Sequence, residues 1–238
     1  MVSGKDPESS LLPIPSPPPK AVFVLGTDTN VGKTLVSSSI VGICLGMGMA
    51  VSYFKPAQTG VSSPDDPAGD AGLVLSQNRP HHFRAMTGYC FPDPIDPMTA
   101  AERVGALISR TDLLQKFHSL YREADMTVIE GAGGVCSPFF PDGEGLLSVI
   151  KEVKWPFHTI LVSHPHIGTL SQTLLAVQYL RSRLTGTLSL VLVPRPIPDP
   201  NPLASLLNPG TFCRIFPEID VFVWENKRFS LVSGSREE

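Results

Sequence analysis

Residues 26–34 read Gly26-Thr-Asp-Thr-Asn-Val-Gly-Lys-Thr34, and this stretch decides the fold. It follows AVFVLG (residues 21–26), an apolar run rich in β-branched residues that is typical of a strand buried on both faces. Residues 32–47 then show apolar side chains at helical spacing. A strand, a glycine-containing loop and a helix in this order bind phosphate, because loop amides and the helix N-terminus attract an anion. In such a loop Lys33 can reach β- and γ-phosphate oxygens, and the Thr34 hydroxyl can bind Mg²⁺.

The rest of the chain alternates strands and helices. Further strands are predicted at 50–54, 126–129, 159–162, 188–193 and 221–224, and helices at 68–76, 98–109, 111–122, 145–151 and 168–181. This alternation predicts the α/β class, with a mainly parallel open sheet, helices on both faces and a P-loop NTPase-like fold.

The chain is expected to form one domain over residues 21–238, because no repeat or linker interrupts the pattern. Residues 1–20 hold six prolines and are predicted to be a disordered tail. The proline-rich stretch 194–202 is predicted to be a loop at the ligand-binding edge of the sheet.

Composition excludes several function classes. The chain has 238 residues, 17% of them charged, and a formal net charge of −3. We therefore expect neither a nucleic-acid partner nor a polybasic membrane binder. No apolar run reaches the roughly 18 residues that span a bilayer. The four cysteines are scattered, as expected for reduced thiols in a cytoplasmic protein.

Two charged residues follow predicted strands at the edge where the phosphate loop lies. Glu130 ends the TVIE strand and can hold Mg²⁺ directly or through water; alternatively it caps a helix or forms a salt bridge. The glycines after it allow a close ligand approach or simply form a tight turn. Lys55 ends the second strand, where with Lys33 it can neutralise a phosphoryl group in transfer; alternatively it is a surface lysine.

Other polar residues carry weaker signals. Asp70 by itself is typical of a solvated loop charge, and Thr59 either binds substrate or caps a turn. Cys136 is interpreted as a packing residue, with a reactive thiol as the alternative. The histidines have no metal-ligand spacing, so we interpret them as loop residues; they are His81, His82, His164 and His166.

Four segments, in order, resemble the dethiobiotin synthetase family: GTDTNVGKT (26–34), KPAQTG (55–60), GDAGLVL (69–75) and EGAGG (130–134). A weaker similarity continues through residues 160–180. The resemblance implies Mg²⁺ ligands Thr34, Asp70 and Glu130, and substrate contacts Thr59, Gly168 and Ser171. The nucleotide-binding residues that it implies are Thr29, Asn30, Val31, Gly32, Lys33, Thr34, Leu35, Asp70, Glu130, Gly131, Ala132 and Gly133.

The resemblance also implies a reaction. With ATP or another nucleoside triphosphate and Mg²⁺, 7,8-diaminopelargonic acid would capture CO₂ as a carbamate, which attacks the γ-phosphorus. The second amine then closes the ring to dethiobiotin and expels phosphate. Such chemistry needs positioning and charge neutralisation, which Lys33 and Lys55 would supply as catalytic residues. A homodimer is implied as well.

Three positions depart from the family pattern. Asn30 stands where relatives often have glutamate, and Ser171 and Gln172 replace an Asn-His pair at a helix start. Pro194 and Arg195 stand where an asparagine would read the purine; proline has no backbone donor and arginine no acceptor.

These departures leave alternatives open. The main alternative is a P-loop switch ATPase of the partition or septum-site type, although residues 27–29 lack its extra lysine. A corrin-acid amidoligase would need a further domain, and a nucleotide-binding remnant conflicts with retention of the charged residues.

Overall fold

A computed structural model describes residues 12–79, 81, 83–195 and 201–232. Within these residues the strands are β1 (Ala21–Gly26), β2 (Val51–Thr59), β3 (Arg84–Phe91), β4 (Met126–Glu130), β5 (His158–Ser163), β6 (Thr187–Leu192), β7 (Asp220–Glu225) and β8 (Arg228–Leu231). The helices are α1 (Lys33–Gly46), α2 (Asp70–Gln77), α3 (Pro97–Arg103), α4 (Arg110–Glu123), α5 (Leu147–Ile150), α6 (Thr169–Arg181) and α7 (Pro202–Ile215). None of these helices is long and apolar enough to cross a membrane.

All the strands named above form one sheet, in the order β3-β2-β4-β1-β5-β6-β7-β8. Every neighbouring pair is parallel except β7 and β8. The predicted α/β class with a mainly parallel sheet is therefore confirmed. At the centre, Val24 of β1 is in register with Glu130 of β4 and Ile160 of β5. The carboxyl ends of these strands consequently meet at one edge, where an α/β sheet binds its ligands.

The core lies on both faces of the sheet, because successive side chains of a strand point to opposite sides. On one face Phe23 packs against Phe117 of α4, with ring centroids 5.7 Å apart. On the other face Val22 and Val24 pack with Ile40 of α1. Strand β1 is buried along its whole length, as its continuous apolar sequence predicts.

Strand β2 differs from the prediction, since it continues beyond Phe54 to Thr59 and includes Lys55 and Pro56. A proline inside a sheet removes a ladder donor. Pro56 is tolerated because β4 pairs with β2 only as far as Phe54, which leaves this side of the strand unpaired beyond that point. Lys55 therefore lies within a strand rather than at its end.

Several other boundaries also differ. Strand β3 was not predicted, because its sequence RAMTGYCF is mostly half-buried and lacks an apolar run. Helix α3 ends at Arg103 rather than at residue 109, and Gly105 beyond it has φ +67°. Helix α7 was not predicted; its first residue, Pro202, is the last residue of the predicted loop and lies in the first turn, where proline costs no hydrogen bond. Residues 196–200 of that predicted loop lie outside the described residues.

Residues 12–14 pack against the sheet, so the predicted disorder is wrong for this part of the tail, whereas residues 15–18 are exposed. Pro13 is buried, and its carbonyl oxygen lies 3.0 Å from Nε2 of His158. Leu12 and Ile14 pack on the same apolar cluster as Ile40. Burial lowers the pKa of His158 to about 4, so the ring is neutral when it meets the Pro13 carbonyl. Residues 1–11 lie outside the described residues.

Candidate active site

The phosphate loop connects β1 to α1, and two features require a glycine at Gly32, the residue before the helix. Gly32 has φ 96°, a left-handed conformation that L side chains rarely adopt. A Cβ atom at this position would also lie 2.9 Å from Cγ1 of Val193, which follows β6. The loop therefore packs directly on the end of a neighbouring strand, and only glycine fits there.

Lys33 begins α1 and folds back over the loop. Its Nζ donates a hydrogen bond to the Asp28 carbonyl oxygen at 2.8 Å, and the residue is buried. Burial and the nearby positive charge of Lys55 lower the pKa of Lys33 to about 8. This ammonium group is thus held inside the loop, in the place where a bound phosphate would meet it.

Lys55 joins two carboxylates from separate elements. Its Nζ lies 2.6 Å from Oδ2 of Asp70 and 3.0 Å from Oε1 of Glu130, and it donates a further hydrogen bond of 2.9 Å to the Gly131 carbonyl. Burial alone would lower the pKa of Lys55, but the two carboxylates raise it above its usual value. In return Lys55 outweighs the effect of burial on Asp70 and lowers the pKa of that carboxyl. Lys55 is buried and paired, so it is not the solvated surface lysine of the alternative interpretation.

Thr34 completes a group of three oxygen atoms. Its Oγ1 lies 2.9 Å from Oδ1 of Asp70 and 2.9 Å from Oε1 of Glu130. One hydroxyl proton cannot be donated to both carboxylates at once. Hydroxyl and carboxylate oxygens are the donors that Mg²⁺ prefers, so these three residues fit a magnesium ion. Among the described residues no set of three His, Cys, Asp or Glu side chains could hold a metal.

The glycine segment after Glu130 packs against the phosphate loop. The backbone N–H of Val135 donates to the Gly26 carbonyl at 2.8 Å. A Cβ atom at Gly134 would lie 2.9 Å from the Thr27 carbonyl oxygen, and Gly133 has φ +63°. These glycines therefore form a turn and also allow one backbone to approach another.

Tyr53 is a site residue that the sequence analysis missed. It precedes Lys55 by two residues in β2, and its hydroxyl donates to Oε2 of Glu130 at 2.9 Å. Both side chains are completely buried. Burial and the Glu130 charge raise the pKa of Tyr53 well above its usual value, so the phenol remains a donor. The sequence could have indicated Tyr53, because residues two apart in a strand face the same side of a sheet.

The three residues expected to bind substrate lie at element ends. Thr59 ends β2, Gly168 caps α6 with φ 86°, and Ser171 is exposed on the first turn of that helix. Among the described residues no hydrogen bond or ion pair joins any of the three to Lys55 or its carboxylate partners.

A cleft of about 580 Å³ opens beside the phosphate loop. Thr27 and Asp28 form one wall, residues 134–137 a second, and residues of α6 from Gln172 to Tyr179 a third. Its apolar side chains include Val135, Leu175 and Ala176. The cleft can therefore receive an aliphatic chain whose polar end reaches the loop.

Cys136 lies on the wall of this cleft and is exposed, so the interpretation as a packing residue is wrong. Partial burial raises the pKa of its thiol, which argues against the reactive-thiol alternative.

Two histidines lie near the phosphate loop and are held by the backbone. Nδ1 of His164 lies 2.8 Å from the Val193 carbonyl oxygen, and Nε2 of His166 accepts from the Arg195 backbone N–H at 2.9 Å. Both serve as loop residues, as expected. His81 precedes β3, and His82 lies outside the described residues. Pro194 and Arg195 follow Val193 just after the end of β6.

Comparisons with known proteins agree on one group. A family model described as "AAA domain" matches residues 20–216. ATP-dependent dethiobiotin synthetase BioD of Bacillus cereus (strain B4264) is 32% identical over 162 residues, which are 67% of this chain and 65% of that protein. The protein of the same name from Neorickettsia sennetsu is 32% identical over 201 residues, 72% of this chain and 75% of that protein. The chain thus spans about two-thirds of the length of the Bacillus cereus relative.

Solved structures show the same fold at low sequence identity. FlhF complexed with GMPPNP and Mg²⁺ has a TM-score of 0.57 and 12% identity, over 91% of this chain and 71% of that one. Cell division protein ftsY from Thermotoga maritima has a TM-score of 0.53 and 14% identity, over 96% of this chain and 70% of that one. At such identities the likeness concerns the fold alone.

Proposed function

The chain belongs to the dethiobiotin synthetase family, and we propose that it catalyses the reaction after which its relatives are named. The reaction is the ATP-dependent closure of 7,8-diaminopelargonic acid (7,8-diaminononanoate) and CO₂ to dethiobiotin, a step of biotin biosynthesis. The observation that carries the proposal is the cluster at the phosphate loop, in which Lys55 joins Asp70 and Glu130 beside the Thr34 hydroxyl. A phosphate loop alone would fit many nucleotide-binding proteins; this cluster adds a second lysine and three oxygen donors that suit Mg²⁺.

Each charged residue has a place in this reaction. Lys33 binds the β- and γ-phosphate oxygens of the nucleotide, together with the loop amides of residues 29–35. The carbamate oxygen attacks the γ-phosphorus as the bond to ADP breaks, and Lys55 neutralises the negative charge on the transferred group. Phosphate leaves when the second amine attacks the carbamoyl carbon. Thr34, Asp70 and Glu130 would hold Mg²⁺, which neutralises further phosphate charge when it is bound.

We propose that the diamine lies in the cleft beside the phosphate loop. Its apolar walls suit the alkyl chain of the substrate, and the wall formed by Thr27 and Asp28 brings the amines to the nucleotide. The helix start at Gly168 and Ser171 and the end of β2 at Thr59 are the further substrate contacts of this proposal.

The test measures phosphate release and dethiobiotin formation with ATP, Mg²⁺, bicarbonate and the diamine, omitting one component at a time. We expect release that requires both diamine and bicarbonate, with one dethiobiotin formed per phosphate. Lys33→Met and Lys55→Met should abolish it, whereas Lys151→Met, an exposed lysine outside the cluster, should not. Comparing ATP with CTP and GTP shows which base is accepted beside Pro194 and Arg195.

Two other outcomes would contradict the proposal. ATP hydrolysis that is indifferent to the diamine would favour the switch ATPase of the partition or septum-site type. Absence of turnover with every nucleotide would favour a remnant that only binds nucleotide.

We further propose a cytoplasmic homodimer whose protomers each form one domain over residues 21–238. All four cysteines are free thiols, as is usual in a reducing compartment. Large apolar side chains are exposed on α6 and α7, among them Leu175 at 68% and Leu206 at 74%. Exposed apolar side chains on these two helices favour a symmetric contact between two copies. Analytical ultracentrifugation should show a dimer that Leu206→Glu weakens; a wild-type monomer at micromolar concentration would contradict it.

A further inference from the structure

The two oxygen atoms of Glu130 have different partners. Oε1 accepts from Lys55 at 3.0 Å and lies 2.9 Å from Oγ1 of Thr34. Oε2 accepts from the Tyr53 hydroxyl at 2.9 Å. Because Tyr53 and Glu130 are both 0% exposed, bulk water cannot take the place of the phenol. The proposed reaction leaves this hydrogen bond without a role.

The hydrogen bond fixes which part of the carboxylate faces the three-oxygen site. Oε1 is turned toward Thr34, whose hydroxyl also lies 2.9 Å from Oδ1 of Asp70. Oε2 is directed at β2, where Tyr53 is held by the sheet. If the phenol were absent, the carboxylate could rotate and offer both oxygen atoms to a cation.

We propose that Tyr53 is a positioning residue that restricts Glu130 to one cation-binding oxygen and so favours Mg²⁺ over Ca²⁺ at this site. Mg²⁺ is small and demands a near-octahedral arrangement, to which each carboxylate contributes one oxygen. Ca²⁺ is larger, takes 6–8 ligands and accepts both oxygens of a carboxylate. The inference rests on the proposed function only in taking Mg²⁺ as the cation of the site.

Hydrogen bonds to the ligands of a metal site tune how the site binds its metal. A group that hydrogen-bonds a ligating carboxylate orients it, and loss of such a group typically costs about 10–100-fold in metal affinity. Tyr53 differs from a residue that only fills the core, because a phenylalanine would fill nearly the same volume without directing Oε2. The ratio of the Mg²⁺ affinity to the Ca²⁺ affinity, rather than either affinity alone, therefore reports the role of Tyr53.

The experiment uses Tyr53→Phe with Tyr89→Phe as the matched control. Tyr89 also loses a hydrogen-bonded hydroxyl, the acceptor for the Ser109 backbone N–H at 3.1 Å, but lies outside the acidic cluster. Bound Mn²⁺ is measured by electron paramagnetic resonance on the full chain and displaced with Mg²⁺ or Ca²⁺. We expect Tyr53→Phe to weaken Mg²⁺ by about tenfold or more and to weaken Ca²⁺ less, so that selectivity falls. Tyr89→Phe should keep the wild-type ratio of Mg²⁺ to Ca²⁺ affinity.

The inference is overturned if Tyr53→Phe leaves both affinities unchanged or lowers them equally, since a structural role would do the latter. Circular dichroism establishes that the variant is folded. If Tyr53→Phe does not fold, Glu130→Asp is used instead, because the shorter side chain cannot reach Tyr53 and Thr34 together. An unchanged ratio of Mg²⁺ to Ca²⁺ affinity in Glu130→Asp also refutes the inference. Metal binding is measured without diamine, so a wild-type chain that binds Mg²⁺ selectively but forms no dethiobiotin would refute only the proposed function.

Discussion

Raising the pH should weaken nucleotide binding through Lys33. Burial and the charge of Lys55 lower the pKa of Lys33 to about 8 in the unliganded protein. The lysine is then about 90% protonated at pH 7 but only about 10% at pH 9, whereas an ordinary lysine remains about 95% protonated. If only the ammonium form binds the phosphates, the apparent Kd for ATP rises about tenfold over this interval, or about 1.4 kcal/mol.

Calorimetric titration of Mg²⁺-ATP into the protein between pH 7 and 9.5 measures this effect. Lys33→Met supplies the control, because a variant without the ammonium group should bind weakly but with little dependence on pH. A wild-type affinity that stays constant to pH 9 would refute the assignment of this pKa. An equal slope in Lys33→Met would attribute the titration to another group.

Three further predictions concern single residues. Lys55→Met leaves two buried carboxylates without their cation. Phosphate release, measured by steady-state kinetics, should therefore fall by at least about 10²-fold. The free energy of unfolding, measured by urea denaturation, should fall by about 3–5 kcal/mol. The pKa of His158 is about 4 in the folded protein and 6.5 in the unfolded chain, so the contribution of this residue to stability should be constant above pH 6.5 and fall by about 3 kcal/mol as the pH drops to 4. His158→Gln should lose this slope below pH 6.5 in urea titrations. Gly32→Ala should lower Tm and abolish ATP binding, because the added methyl group lies 2.9 Å from Val193. Gly48 has a similar φ of +79° but open space around it, so Gly48→Ala should lower Tm through backbone strain alone and by less than Gly32→Ala.

The phosphate loop and the position of Lys55 and Glu130 at one edge of the sheet could be predicted, because both depend on local sequence and on parallel strands. Loop amides, a helix start and strand ends are specified within a few residues, and parallel strands bring their carboxyl ends to one edge. The approach of Asp70 required the family resemblance, since nothing in its surrounding sequence distinguishes it from a solvated loop charge.

Features that depend on distant packing could not be predicted. The extension of β2 through Pro56 is allowed only because β4 stops pairing at Phe54, which the sequence of β2 does not show. Helix α7 forms in a proline-dense stretch because Phe212 is completely buried on the sheet. Pro13 is held by a contact with His158, which lies far away in the chain.

The four charged side chains of the candidate site cancel one another. Lys33 and Lys55 contribute two positive charges, and Asp70 and Glu130 two negative ones, so the pocket is neutral before any ligand arrives. A triphosphate carries about four negative charges, and no net positive charge of these side chains would compensate them in this buried region. We therefore expect the nucleotide to enter as its metal complex, which halves the charge to be desolvated, so that ATP binds more tightly with the metal than without it.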